Sequence, residues 1–196
     1  EPLICGVDVS GGGSAWSVAR FRRGFDARSI PPIRLTGEQT VANERQLIVA
    51  KLATVLEDQR PEHRVSAMFI DAAFGSAVVV RLRQMGFDHV FEVSFGGPSP
   101  DANDANLRAY MWRSMKDWLP RGAIDPKDLR LADDLEGPGY HINRANRLVL
   151  ESKQEMQKRG IASPDDGDAL ALTWAMPVQV GTRHAQWTPE LPQWAG

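Results

Sequence analysis

The sequence predicts a single α/β domain: a mixed central β-sheet flanked by helices, with an additional β-hairpin. Three observations lead there. Apolar residues 3–10 run into Gly11-Gly12-Gly13 and then into a second strand-like stretch at 15–22, the pattern of a hairpin. Two later apolar runs, Val65–Asp71 and His89–Val93, alternate with segments of helical periodicity. Three strands followed by helix, strand, helix and strand make a sheet of mixed direction.

The elements follow in order. After the hairpin, a third strand lies around Ile30–Leu35, its limits blurred by Pro31 and Pro32. Residues 40–58 place Val41, Leu47, Ile48, Leu52, Val55 and Leu56 at helical spacing. The strand Val65–Asp71 leads to a helix over Ser76–Met85, closed by Gly86, and then to the strand His89–Val93. Gly96–Asp104 is a loop by composition. The helix Asn106–Leu119 carries Leu107, Tyr110, Met111, Met115 and Trp118 as core contacts. A short helix is expected over Pro126–Leu135. Tyr140–Ile142 and Arg147–Leu150 flank Asn143–Asn146 as the extra hairpin, and a polar helix spans Ser152–Arg159 before Gly160. The last helix covers 164–176, with Ser163 as N-cap and Pro164 at its first position. Residues 1–176 are thus expected to form the domain and 177–196 a C-terminal tail.

Length and composition narrow the class. The 196 residues suit one domain of good core size, and 42% hydrophobic with 24% charged residues is ordinary for a globular chain. No apolar run is long enough to span a bilayer, and no signal peptide is visible. One cysteine excludes an internal disulfide, and with four scattered histidines it makes a structural zinc site improbable. The net charge of −2 argues against a generally basic nucleic-acid binder, but leaves room for a local basic groove around an acidic centre. The chain opens without Met and enters a strand at once, so a domain of a longer protein is expected.

The chemistry lies in three acidic stations. Asp8 lies near the end of the first strand and Asp71 closes the fourth, each with a glycine a few residues on, Gly11 and Gly75. A carboxylate among apolar strand residues is costly unless it is paired, hydrogen-bonded or bound to a metal. The third station is Asp165-Asp166-Gly167-Asp168. Asp166 reads as a residue that offsets the helix dipole. Asp165 and Asp168 share a face with Leu172 and Ala175, so that face points at the sheet where Asp8 and Asp71 end. Hard divalent cations take such oxygen ligands, and two ions held by Asp8, Asp71 and Asp168, with Asp165 added, could hydrolyse a phosphodiester. The phosphate loop Gly-x-x-x-x-Gly-Lys-Ser/Thr is absent, and so is the Gly-x-Ser-x-Gly elbow.

On these residues the chain resembles the C-terminal nuclease domain of the large terminase subunit of tailed bacteriophages, within the RNase H-like, RuvC-type nucleases. The matching pieces are Gly6-Val7-Asp8-Val9, Phe69-Ile70-Asp71, Met111-Trp112 with Trp118-Leu119, Leu150–Lys153 with Met156–Arg159, and Ser163–Leu170, in the family's order over roughly residues 3–176. The resemblance implies an RNase H-like fold and a magnesium- or manganese-dependent endonuclease that cuts concatemeric double-stranded DNA during genome packaging. Asp8, Asp71 and Asp168 match the family's metal-binding acids, and Asp165 matches the extra acid of the Asp-x-x-Asp pattern in related resolvases. The implied partners are an N-terminal ATPase motor absent from this chain, the portal and the small terminase subunit. The implied location is the host-cell cytoplasm. One departure is Ser14-Ala15, where many relatives carry a further acid.

Between His141 and Gly160 the basic residues Arg144, Arg147, Lys153, Lys158 and Arg159 outnumber Glu151 and Glu155. They form the expected DNA-tracking flap, with Lys153 nearest the scissile phosphate and Arg81 and Arg83 as lesser candidates. His141 is left outside the catalytic set. Two other readings stay open: a RuvC-like Holliday junction resolvase, and a non-catalytic module that only docks DNA or a portal.

Overall fold

The computed structural model describes residues 1–36 and 44–179, without side chains for 44–46. The strands are Leu3–Asp8 (β1), Trp16–Arg23 (β2), Ile33–Thr36 (β3), Val65–Asp71 (β4), Val90–Val93 (β5), Tyr140–Ile142 (β6) and Leu148–Leu150 (β7). The helices are Glu44–Glu57 (α1), Ala72–Gln84 (α2), Leu107–Trp118 (α3), Leu129–Glu136 (α4), Lys153–Lys158 (α5) and Asp165–Ala171 (α6). A 3₁₀ turn, Leu172–Trp174, follows α6. The central sheet has the order β3-β2-β1-β4-β5, and β6-β7 form the separate hairpin.

β1 is antiparallel to β2 and parallel to β4, so it is the strand at which direction changes. Both of its faces are covered, which is why all six of its residues are buried. Leu3, Cys5 and Val7 meet Leu52 of α1 and Val78 and Leu82 of α2. On the other face Ile4, Ala67 and Phe69 meet Met111 and Met115 of α3 and Leu170 and Leu172 at the end of α6. Each such fully buried side chain contributes roughly 1.5–3 kcal/mol. Gly6 sets how close α6 can lie: a Cβ there would come within 2.0 Å of the Ala169 carbonyl oxygen. Only a residue without a side chain lets the helix backbone rest on β1, beside Asp8.

Several boundaries differ from expectation. β3 starts at Ile33, because Pro31 and Pro32 supply no N–H to a ladder. α2 begins directly after Asp71, four residues earlier than predicted. The run Ala72-Ala73-Phe74-Gly75 is already helical, with Gly75 packed on Ile70. Residues 40–43 of the predicted second element, Val41 among them, lie outside the described residues, as does the tail from 180 on. The last helix tightens into the 3₁₀ turn after Ala171, where the Thr173 hydroxyl donates to the Leu170 carbonyl. Its N-cap is Pro164, not Ser163, and it has no side-chain cap of its own. The first-turn amides of Asp166 and Gly167 donate instead to Asp134 Oδ2 of α4, at 2.7 and 3.0 Å.

Candidate metal centre

Asp8 and Asp71 end neighbouring parallel strands, on the sheet face shared with Ile4 and Phe69. Crevices at the carboxyl ends of parallel strands, where strand order reverses, are the usual ligand sites of open α/β sheets. Here the crevice is a cleft of about 1150 Å³ lined by Asp8, Asp71, Asp165, Arg108 and Lys153 among others. α6, seated on Gly6, brings in Asp165 and Asp168 from the far side.

The acids gather around one ammonium. Lys153 Nζ lies 2.8 Å from Asp8 Oδ2, 3.2 Å from Asp168 Oδ2 and 3.7 Å from Asp165 Oδ1. Asp168 is wholly buried and also accepts from Arg108 Nε at 2.9 Å, Arg108 Nη2 at 3.2 Å and Trp112 Nε1 at 2.8 Å. Asp165 Oδ2 accepts the Trp16 amide at 2.7 Å, which ties α6 to the start of β2. Gly167 allows the Trp112 ring to lie across the helix, since a Cβ there would sit 2.7 Å from that ring.

A second ionic cluster braces α6 from behind. Asp166 lies in the first turn of α6 as expected, and its carboxylate also lies 2.6 Å from Arg20 Nη2 and 2.7 Å from Arg34 Nη2. Both arginines also pair with Asp128, the N-cap of α4. Two strands and two helices thus meet in one balanced cluster.

Burial dominates the electrostatics of the acids. It pushes the Asp8 carboxyl up from 3.8 to about 8, against the pull of Lys153 and with the help of Asp168 and Asp165. Burial also raises Asp71 and Asp165. Burial opposes the charge of Asp168 as well, but Arg108 and then Lys153 hold that carboxyl below its ordinary value. Burial likewise opposes the charge of Lys153, and Asp8, Asp168 and Asp165 more than offset it, keeping the ammonium charged. With all four acids ionised, Lys153 and Arg108 leave two negative charges uncompensated. An all-oxygen donor set with that excess suits a hard divalent cation. Among the described residues no three acidic, histidine or cysteine side chains already converge as ligands on one point. Lys153 stands between the acids that would do so.

A pH dependence follows. Asp8 at about 8 and Asp134 of α4 at about 7, the latter again raised by burial first, hold protons in the folded state that the unfolded chain releases near 3.8. Their contribution to stability is complete below about pH 4 and is lost as pH rises to 8. Acids held below 3.8, such as Asp168 and Asp128, change nothing in that window. Urea unfolding in EDTA is therefore expected to show a more stable protein at pH 5.5 than at pH 8.5, by at least about 1 kcal/mol. A flat or inverted profile would contradict these assignments.

Of the residues expected to track DNA, Lys153 is not on the flap's outer surface but among the acids. Arg144 and Arg147 are exposed at the hairpin turn, and Lys158 is exposed on α5. Arg159 is held by Glu151 at 2.6 Å and by the Gly137 carbonyl. Arg81 and Arg83 sit in the last turn of α2, where Arg83 Nε donates to the Val90 carbonyl. His141 is exposed. Sequence reasoning missed Arg108, Asp134, Arg20 and Arg34. The signal was present for Arg108: it falls four residues before Trp112, inside an otherwise apolar helix face.

The sheet order, the switch in strand direction at β1 and acids at the ends of β1 and β4 together define an RNase H-like fold. Solved structures that share it include nuclease domains of phage large terminase subunits. The nuclease domain of the large terminase subunit gp2 of bacterial virus Sf6 superimposes with a TM-score of 0.68 at 18% identity, over 91% of this chain and 90% of that one. A lysine-to-alanine variant of that domain with calcium gives 0.69 at 19%, over 90% and 89%. The large terminase nuclease from thermophilic phage G20c gives 0.58 at 17%, over 89% and 81%. No protein-family model and no curated protein matches the sequence.

Proposed function

We propose that this chain is a metal-dependent endonuclease of the large-terminase type, hydrolysing phosphodiester bonds of double-stranded DNA with two divalent ions. The observation that carries this reading is the three carboxylates of Asp8, Asp165 and Asp168 around a single ammonium at the cleft wall, with Asp71 of β4 lining the same cleft. The shared fold supports it, as do related nuclease structures that contain magnesium or manganese. Asp8, Asp71, Asp165 and Asp168 would hold the ions. When bound, the ions supply an activated water and charge stabilisation for the leaving oxygen.

The chain's own residues do the rest. Arg108 and Trp112 hold Asp168, and the Trp16 amide holds Asp165, so the acids keep their places before substrate arrives. Arg144, Arg147 and Lys158 are the exposed cations that would meet phosphates along the duplex, giving sequence-tolerant, salt-dependent binding. By the same reading the natural setting is a packaging complex in the host cytoplasm, with a motor subdomain and a portal as partners. Plasmid cleavage with magnesium, manganese, calcium or EDTA tests the proposal, with four-way DNA as competitor. Cleavage that needs magnesium or manganese and is not suppressed by four-way DNA supports it. Strong preference for the junction would favour a resolvase, and no cleavage with any ion would leave a docking module.

Lys153 gives a separate prediction. Its ammonium occupies the space that cations would share, so Lys153→Ala is expected to raise manganese affinity by on the order of tenfold by calorimetry. An affinity unchanged or lowered would show that Lys153 does not compete with the ion.

A further inference from the structure

Asp168 is held asymmetrically. A carboxylate offers about two acceptor positions on each oxygen. On Oδ1 both are taken, by Arg108 Nε at 2.9 Å and Trp112 Nε1 at 2.8 Å. On Oδ2 one is taken by Arg108 Nη2 at 3.2 Å and the other faces Lys153 Nζ, also at 3.2 Å. Neither donor on Oδ1 can readily move away. Trp112 is 7% exposed and lies over Gly167, while Arg108 is 8% exposed and its Nη1 donates to the Glu151 carbonyl at 2.9 Å. The lysine is the more exposed partner, with a side chain 32% exposed.

We infer that Arg108 and Trp112 determine which cation the centre accepts, by leaving Asp168 only one oxygen, Oδ2, that an ion could take in place of Lys153. This rests on the metal-centre reading above and adds a selectivity to it. Magnesium and manganese keep a compact octahedral shell and are satisfied by single carboxylate oxygens plus water. Calcium gathers six to eight oxygens and commonly takes a carboxylate through both. A carboxylate with Oδ1 filled from inside the protein cannot offer that second oxygen. Arg108 and Trp112 are therefore positioning residues that act through Asp168, and discrimination against calcium is what they add.

The test is calorimetric titration of the full chain with magnesium, manganese and calcium, in the parent and in Trp112→Phe, Arg108→Lys and Trp118→Phe. Trp112→Phe removes one donor to Oδ1 and keeps an aromatic ring. It is expected to shift the calcium-to-magnesium affinity ratio toward calcium by on the order of tenfold. Arg108→Lys keeps the charge without the fork and shifts the ratio the same way. Trp118→Phe, on the same helix as Trp112 but with an indole that donates to the Gly24 carbonyl after β2, leaves the ratio unchanged. In the unmodified chain, the Trp112 indole N–H followed by NMR stays hydrogen-bonded through a magnesium titration. An unchanged ratio in folded Trp112→Phe and Arg108→Lys overturns the inference, as does loss of the indole hydrogen bond on magnesium binding. Failure of the parent to bind any of the three ions overturns the metal centre itself, and the selectivity with it.

Discussion

Asp71→Asn is expected to abolish metal-dependent plasmid cleavage while leaving the metal-free domain at least as stable as the parent. Asp71 closes β4 beside Asp8 and is 5% exposed. It lines the same cleft as Asp8 and Asp165. Replacing a ligand carboxylate by an amide removes both charge and metal affinity. Charge stabilisation worth several kcal/mol is lost with it, a fall in rate on the order of 10³-fold or more. The stability expectation has the opposite sign. Burial first, and the charge of Asp168, hold the Asp71 carboxyl above its ordinary value, so a neutral isostere relieves a cost. Plasmid nicking at pH 8 and urea unfolding in EDTA read the two effects separately. Cleavage within tenfold of the parent would remove Asp71 from the centre.

The largest stability effect is expected from Arg20→Met. Arg20 is 3% exposed and pairs with Asp166 and Asp128, which Arg34 alone would then have to neutralise. Removing one partner from a buried ion cluster leaves an uncompensated charge and costs about 3–5 kcal/mol. For a domain of this size that corresponds to a fall in Tm on the order of 10 °C. Arg20→Met with Asp166→Leu removes one charge of each sign and leaves Arg34 paired with Asp128. The double variant is expected to recover most of the loss, which a double-mutant cycle would read directly. Additive losses would mean that the two residues do not form one cluster.

Much of this was legible in the sequence, for physical reasons that differ by element. β4 matches its predicted limits residue for residue, because an apolar run bounded by polar loops has only one way to be buried. The acidic stations were legible because an acid at the end of such a run needs a partner. What the sequence concealed is which partner. Arg20 shares one face of β2 with Val18 and Arg22 while Ala19 and Phe21 take the other, a period-two pattern that reads equally well as a solvated face. Only the placement of α6 across that face turns it inward. Lys153 was grouped with the surface cations by its neighbours, but the turn from β7 into α5 aims it at Asp8. The Ser152–Glu155 capping box fixes that turn. Periodicity records which face a residue occupies, and it does not record how far a long side chain reaches.

The ammonium among the acids has a consequence for the order of events in the life of the molecule. In many small metallo-domains the metal is a folding partner and the apo chain is unfolded. Here the chain supplies its own resident cation, so the sheet, α6 and the acids can assemble in full where free metal is scarce. On the proposed reading, a metal would have to exchange with that occupant. On the proposed metal-centre reading, ion binding is thereby separated from folding.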